Sequence, residues 1–212
     1  RRTLLVRPYL ATDDAATNLQ VLADLAAAGF AHAPLPVASI EAYAIEAFEE
    51  GLTPLQFAPD QAQWEAAIDA LASLHERSAG SGRRWGEARE ELLPRSLPLF
   101  RLGFTREERE AAEPLLAEAA ALLAASPFGF VHGRLLADTV TFGPSGPTFH
   151  DFAQAGFGAQ LVDVVSLLAT AGLPAAERAR LASRYGERRS LAGVAELADL
   201  ATLIWGLHEL IE

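Results

Sequence analysis

The sequence predicts an α+β protein. Three observations carry that expectation. Two β-type apolar runs, Thr3–Tyr9 and Ala42–Phe48, bracket a helical stretch from Asp13 to Gly29. Long periodic segments, Asp60–Ser78 and Thr105–Ala125, carry apolar stripes at helical spacing through the middle of the chain. Between Phe128 and Phe152, β-branched and aromatic runs alternate with Gly and Pro corners, which is the mark of short strands and a hairpin.

The elements follow in order. Thr3–Tyr9 is a strand interrupted by Arg7 and closed by Pro8. Asp13–Gly29 has Thr12, Asp13 or Asp14 to cap it, Leu19, Leu22 and Leu25 as its stripe, and Gly29 to end it. Ala31–Pro36 reads as a Pro-rich loop, and Ala42–Phe48 as a strand running into Glu49-Glu50-Gly51. In Asp60–Ser78, Trp64, Ile68, Leu71 and Leu74 share one face, and His75 beside them reads as a buried structural histidine. Ala79–Gly86 is a flexible insertion with Arg83-Arg84 solvated, and Glu87–Arg101 is broken by Pro94 and Pro98. Thr105-x-x-Glu108 is a capping box. Pro174–Gly186 and Leu191–Ile211 close the chain as helices, with Trp205, Leu207 and His208 as core and rim.

Bulk properties narrow the function. A chain of 212 residues, half of them hydrophobic, buries a sizeable core and reads as soluble and globular. It contains no apolar run near the roughly 20 residues of a membrane-spanning helix and no signal-peptide pattern, so the expected location is the cytoplasm. A net charge of −11 argues against nucleic acid or an anionic membrane as partner, since both need a basic surface, and suits a small cationic ligand or a protein partner. There is no Cys, which removes disulfides, thiolate zinc sites and thiol nucleophiles together. All 17 basic residues are Arg. The chain lacks Met and opens on Arg1-Arg2, from which the native start is expected to lie upstream or to be processed away.

Chemistry concentrates in one stretch. Phe128–Val131 leads into His132-Gly133-Arg134; Thr139–Phe142 runs to the turn Gly143-Pro144-Ser145-Gly146; Pro147–His150 delivers Asp151 and Phe152. The hairpin gathers His132, Arg134, Asp138, Thr139 and Asp151 around one region.

This order resembles the catalytic segment of the aminoglycoside phosphotransferase and choline kinase-like family, which shares the protein-kinase fold and reads His-Gly-Asp-x-x-x-x-Asn, a short hairpin, then Asp-Phe. His132-Gly133 and Asp151-Phe152 match. The resemblance implies ATP and Mg²⁺ as cofactors, with a base after His-Gly and metal ligands at the Asn and at the second Asp. Here the base position holds Arg134 and the Asn position Thr139. A guanidinium has no acceptor and repels a metal ion, and general-base help is worth roughly 10²–10⁴ in rate. By the same resemblance Asp151 is the metal ligand, Thr139 offers a weaker hydroxyl oxygen at the Asn position, and His132 supports the loop; Asp138, adjacent to Thr139 and outside the family's pattern, is the second carboxylate available to swing in. In that resemblance Arg7 takes the place of the phosphate-gripping strand Lys, Asn18 that of its helix Glu partner, and Ala47–Glu49 that of the hinge whose backbone reads an adenine edge, which implies a reduced N-terminal lobe of a few strands and one helix over 1–50 and a larger, mainly helical C-terminal lobe over 51–212. Asp163, in Gln160-Leu161-Val162-Asp163-Val164-Val165, is implied as a structural N-cap bonded to the catalytic-loop backbone. Tyr185-Gly186 falls where the family shows a helix end. Two functions are compatible with these residues: a pseudokinase acting as a binding or regulatory module, and an active small-molecule phosphotransferase, for aminoglycoside- or choline-like acceptors, working through Asp151 and Asp138. A third reading is a scaffold whose resemblance reports ancestry alone.

Overall fold

A computed structural model describes residues 3–10, 12–48, 52–57, 60–76, 83–84, 105–198 and 200. Strand β1 (Thr3–Pro8) alternates half-buried Thr3, Leu5 and Arg7 with exposed Leu4, Val6 and Pro8, as a strand with one covered face must. It pairs antiparallel with β3 (Tyr43–Phe48), which pairs in turn with β2 (Pro36–Ile40), giving the order β1-β3-β2. The sequence reading left β2 out: Val37, Ala38, Ser39 and Ile40 are all exposed, so this edge strand carries no alternation and is held by backbone pairing.

Helix α1 (Thr12–Ala27) packs on that sheet, burying Ala15, Asn18, Leu22 and Leu25 at steps of three and four. Its end is fixed by Gly29 at φ 72° and by the Phe30 N–H donating back to the Leu25 carbonyl, a wrap that requires a residue free to adopt the left-handed region. Beyond it Phe30 stacks on Phe149 with ring centres 6.1 Å apart, and the Phe149 N–H donates to the His32 carbonyl at 2.8 Å. The segment after α1 therefore ties the small lobe to the hairpin.

In the larger lobe β4 (Thr53–Pro54) joins β7 (Val140–Gly143) and β8 (Gly146–Phe149). A second small sheet is formed by β5 (Arg83–Arg84), β9 (Gly156–Ala159) and β6 (Phe128–Val131). Arg83–Arg84, expected within a solvated insertion, thus pair by their backbone with Gly156–Phe157. Helix α2 (Gln61–Glu76) buries Trp64, Ile68, Leu71, Leu74 and His75 and packs against α5 (Ala175–Arg189) through Leu181, Ala182 and Tyr185. Helix α3 (Arg106–Ala124) opens with the capping box complete, Thr105 and Glu108 each bonding the other's backbone. Helix α4 (Leu161–Ala169) follows Gln160, which occupies the N-cap position; Asp163 lies one turn in and does not cap. The reason is that its carboxylate is turned into the core, as described below. The hinge residues 49–51, most of 77–104, and Trp205, Leu207 and His208 lie outside the described residues.

Candidate functional site

Strand β6 ends by delivering His132 and Gly133 into the core, and the loop beyond them is held by side chains rather than by a ladder. Asp163, wholly buried, accepts the His132 N–H at 2.6 Å and the Gly133 N–H at 2.9 Å. It also accepts from His75 Nε2 at 3.0 Å, and the other ring nitrogen of His75 lies 2.6 Å from the Tyr185 hydroxyl. Burial pushes the Asp163 carboxyl up, but the His75 hydrogen bond, the attraction of the His75 imidazole and the His132 N–H outweigh it and hold the group below the usual carboxylate range. Further along, the Ala137 N–H donates to the Thr170 hydroxyl, and Thr139 Oγ1 both accepts from the Leu136 N–H and donates to the Leu136 carbonyl.

His132 is fully buried, donates from Nε2 to the His150 carbonyl at 2.8 Å, and lies against Phe152 with ring centres 4.6 Å apart. Burial is the main force lowering its pKa, against the pull of Asp163. The imidazole is therefore kept neutral and joins the two halves of the site, the His-Gly loop and the His-Asp turn.

Asp151 sits at that turn in the left-handed region, φ 68° and ψ 61°, a conformation that costs a non-glycine residue on the order of 1 kcal/mol or more. What holds it there comes from the small lobe. The Asn18 side chain accepts the Phe152 N–H at 2.8 Å and donates to Glu46 Oε1 at 2.8 Å. Glu46, on β3, is completely buried; Arg7 Nε lies 3.9 Å from one of its oxygens and His150 Nδ1 3.9 Å from the other. Tyr9 lies beside Asp151 and Glu46, and burial, reinforced by both carboxylates, pushes its phenol pKa up so that it stays protonated.

These elements enclose a cavity of about 300 Å³, walled by Arg7, Arg134, Asp138, Thr139, His150 and Asp151. A family model described as the phosphotransferase enzyme family matches residues 2–200. This chain belongs to that family.

Solved structures agree on the phosphotransferase fold, which is kinase-like. A choline/ethanolamine kinase family protein from Mesorhizobium loti is 16% identical, with 98% of this chain and 74% of that one covered at a TM-score of 0.65. The aminoglycoside phosphotransferase APH(3'')-Id from Streptomyces rimosus, solved with ADP and streptomycin, is 20% identical, with 98% and 86% covered and a TM-score of 0.63. Amicoumacin kinase hAmiN, solved in complex with AMP-PNP, Ca²⁺ and Ami, is 12% identical, with 97% and 74% covered and a TM-score of 0.62. At such identities the likeness is one of fold. No curated protein sequence matches the chain.

In this phosphotransferase-family chain the cleft brings Arg7, Arg134, Asp138, Thr139 and Asp151 together, while His132, Asn18 and Asp163 stand behind it as supports. Ala47 lies on β3 away from the cavity, with its N–H donated to the Leu35 carbonyl, and Glu49 lies outside the described residues. Two residues that sequence reasoning missed prove central. Glu46 supplies, from a strand, the buried carboxylate beside Arg7 that the family resemblance assigns to a helix, where this chain has Asn18; His150 closes the rear wall. A carboxylate at the inward parity of the apolar strand Ala44–Phe48 was the available signal for Glu46.

Among the described residues no three His, Asp or Glu side chains converge on a metal site. Mg²⁺ is commonly held through one or two carboxylates, with phosphates and water completing its shell. Asp151, with Asp138 lining the same cavity, fits one ion of that kind arriving with a phosphate. The hydroxyl of Thr139 is already engaged twice by Leu136, and Arg134 brings a positive charge into the same space, so the donor set does not fit a second ion. No described helix is long and apolar enough to cross a membrane.

Proposed function

We propose that this phosphotransferase-family protein is a pseudokinase, a cytoplasmic binding or regulatory module whose cleft takes up a ligand but transfers phosphate poorly. The observation that carries the reading is Arg134. At the place where the family resemblance puts the catalytic base, the cleft wall carries a guanidinium with no lone pair to accept a proton. The surrounding supports are complete: the loop backbone is bonded to Asp163 and Thr170, and the Asp151 turn to Asn18. Such a scaffold is built to hold a ligand in a fixed place. ATP with one Mg²⁺ at Asp151 is the cofactor this reading assigns to the cleft, and the acidic chain favours a small cationic ligand or a protein as its partner.

The test restores the motif. The parent protein should show no ATP-dependent turnover with aminoglycosides or choline, and the double variant Arg134→Asp, Thr139→Asn should gain it, by roughly 10²–10⁴ if the base is what is missing. A parent that turns over within tenfold of the double variant sinks the proposal. That result would favour a second reading, an active phosphotransferase using Asp151 and Asp138, which draws support from the shared cavity of the two carboxylates. Phosphoryl transfer rests chiefly on positioning and charge stabilisation, so such an enzyme would lose activity in Asp151→Ala and keep it in Arg134→Ala.

A further inference from the structure

We propose that the outer face of the small-lobe sheet is a docking surface on which a second copy of this chain packs, giving a weak two-fold dimer.

Antiparallel pairing puts opposed residues on the same face, so the register sorts the side chains of this sheet. Leu4 stands opposite Ala47, Val6 opposite Ile45 and Pro8 opposite Tyr43. On the far side of β3, Ala38 and Ile40 stand opposite Ile45 and Tyr43. All eight are aliphatic or aromatic, and none carries a charge. The larger ones lie open: Leu4 is 50% exposed, Val6 55%, Ile40 61% and Tyr43 46%, and Leu10 just beyond β1 is wholly exposed. The opposite parity holds Leu5 and Arg7, which line the cleft, with Ala44 and Glu46, which are buried, Glu46 being bonded to Asn18 of α1. An antiparallel sheet with one solvated face ordinarily turns its polar residues outward. Here the charges stand on the covered side and the solvated side is apolar throughout, which marks a surface of interaction.

Charge and area select the occupant. Each copy carries a net charge of −11, so two copies dock best where no carboxylates meet, and this face has none. The same charge repels an anionic bilayer. Three strands about 4.8 Å apart, six residues long at about 3.4 Å each, make a face of roughly 300 Å² in plan. Accessible surface follows the side chains rather than the plane, and two such faces bring on the order of 1,000 Å², the lower bound of a specific interface and short of the ~1,600 Å² of a standard one. The contact is therefore two sheets stacked about 10 Å apart about a two-fold axis, with a dissociation constant of roughly 10–100 µM. It lies on the side of β1 away from Arg7, so both clefts stay open.

Sedimentation velocity of the full chain from about 1 to 500 µM, a range that brackets that constant, decides the matter. The average mass should rise from monomer to dimer and stop there. Raising the salt from about 0.05 to 0.5 M should strengthen the dimer, because salt screens the repulsion between two acidic molecules while the contact itself is apolar. Val6→Glu and Ile40→Glu each place two carboxylates in the symmetric contact and should each weaken it at least tenfold. Val6→Thr, which keeps the β-branch that suits a strand, should weaken it less. Leu115→Glu, at an exposed apolar residue of α3, should leave it unchanged. Circular dichroism of each variant confirms that these exposed positions leave the fold intact. A chain that stays monomeric at the highest concentration has its face covered by something other than a copy and overturns the inference. Growth beyond a dimer, a dimer that salt weakens, one that both Glu variants at the sheet leave intact, or one that Leu115→Glu breaks overturns it equally.

Discussion

Asp163→Asn removes one charge and one acceptor from the middle of the molecule, and its cost follows from the three donors around it. Oδ2 accepts from the His132 N–H and His75 Nε2, and Oδ1 from the Gly133 N–H. An Asn side chain has one oxygen. Placed at Oδ2, it keeps two bonds and turns its NH₂ against the Gly133 N–H; placed at Oδ1, it leaves His132 and His75 facing a donor. Either way a buried N–H loses its acceptor, which costs ~1–3 kcal/mol, and the surviving bonds lose the strength that a charged acceptor gives. Relief of carboxylate burial offsets part of this, leaving a net loss of ~2–4 kcal/mol. At 2–4 °C per kcal/mol for a chain of this size, the thermal midpoint should fall by roughly 5–15 °C. Thermal and urea unfolding followed by circular dichroism measure it, and amide exchange of His132 and Gly133 localises it, because those two amides should lose protection first. A variant within ~0.5 kcal/mol of the parent, the usual range of surface substitutions, would show that something other than Asp163 holds the loop.

Two more outcomes follow from the same core. Gly186→Ala sets two effects of opposite sign against each other: alanine favours a helix interior by about 1 kcal/mol, yet its Cβ would stand 2.8 Å from the Leu191 carbonyl oxygen and 3.2 Å from Val194 Cγ2. Because the nearer obstacle is backbone, the variant should be destabilised by ~1–3 kcal/mol in urea unfolding, and a stabilised variant would refute the packing described for α5. Acidification should weaken the fold in two stages. His132 is held below the ordinary imidazole value of about 6.5, so as pH falls through that value the unfolded chain takes up a proton the folded one refuses, and stability drops. The Asp163 contribution is present above the ordinary carboxylate range and is lost as pH falls through its lower folded value. Urea midpoints that stay flat from pH 7.5 to well below 6 would contradict the first stage.

Local signals made the frame legible. The apolar β-type run Thr3–Tyr9, the three-and-four spacing of Trp64, Ile68, Leu71 and Leu74, and the Thr105–Glu108 capping box each depend on residues within a turn or two of one another, so the sequence states them directly. The Gly and Pro punctuation around residues 143–146 fixed the hairpin, and the ordered motifs fixed the family. Strand β2 was hidden because an exposed edge strand needs no apolar period. Hairpin strands came out at Val140–Gly143 and Gly146–Phe149, each one position from the reading, which leaves Thr139 and His150 in the corners with the His150 N–H on the Thr139 carbonyl.

The interior of the site could be read only once the chain was folded. Residue type at Arg134 already decided that no base stands there, since a guanidinium has no acceptor in any fold. Which carboxylate would stand beside Arg7 was not decided by type: Asn18 meets Glu46 across 28 residues of sequence and Phe152 across 134, and His75 meets Tyr185 across 110. A buried polar group must find a partner, but the requirement names no address. Packing of α1 against β3 and the Asp151 turn chose it, because only there do Asn18, Glu46 and the Phe152 N–H come within hydrogen-bond reach.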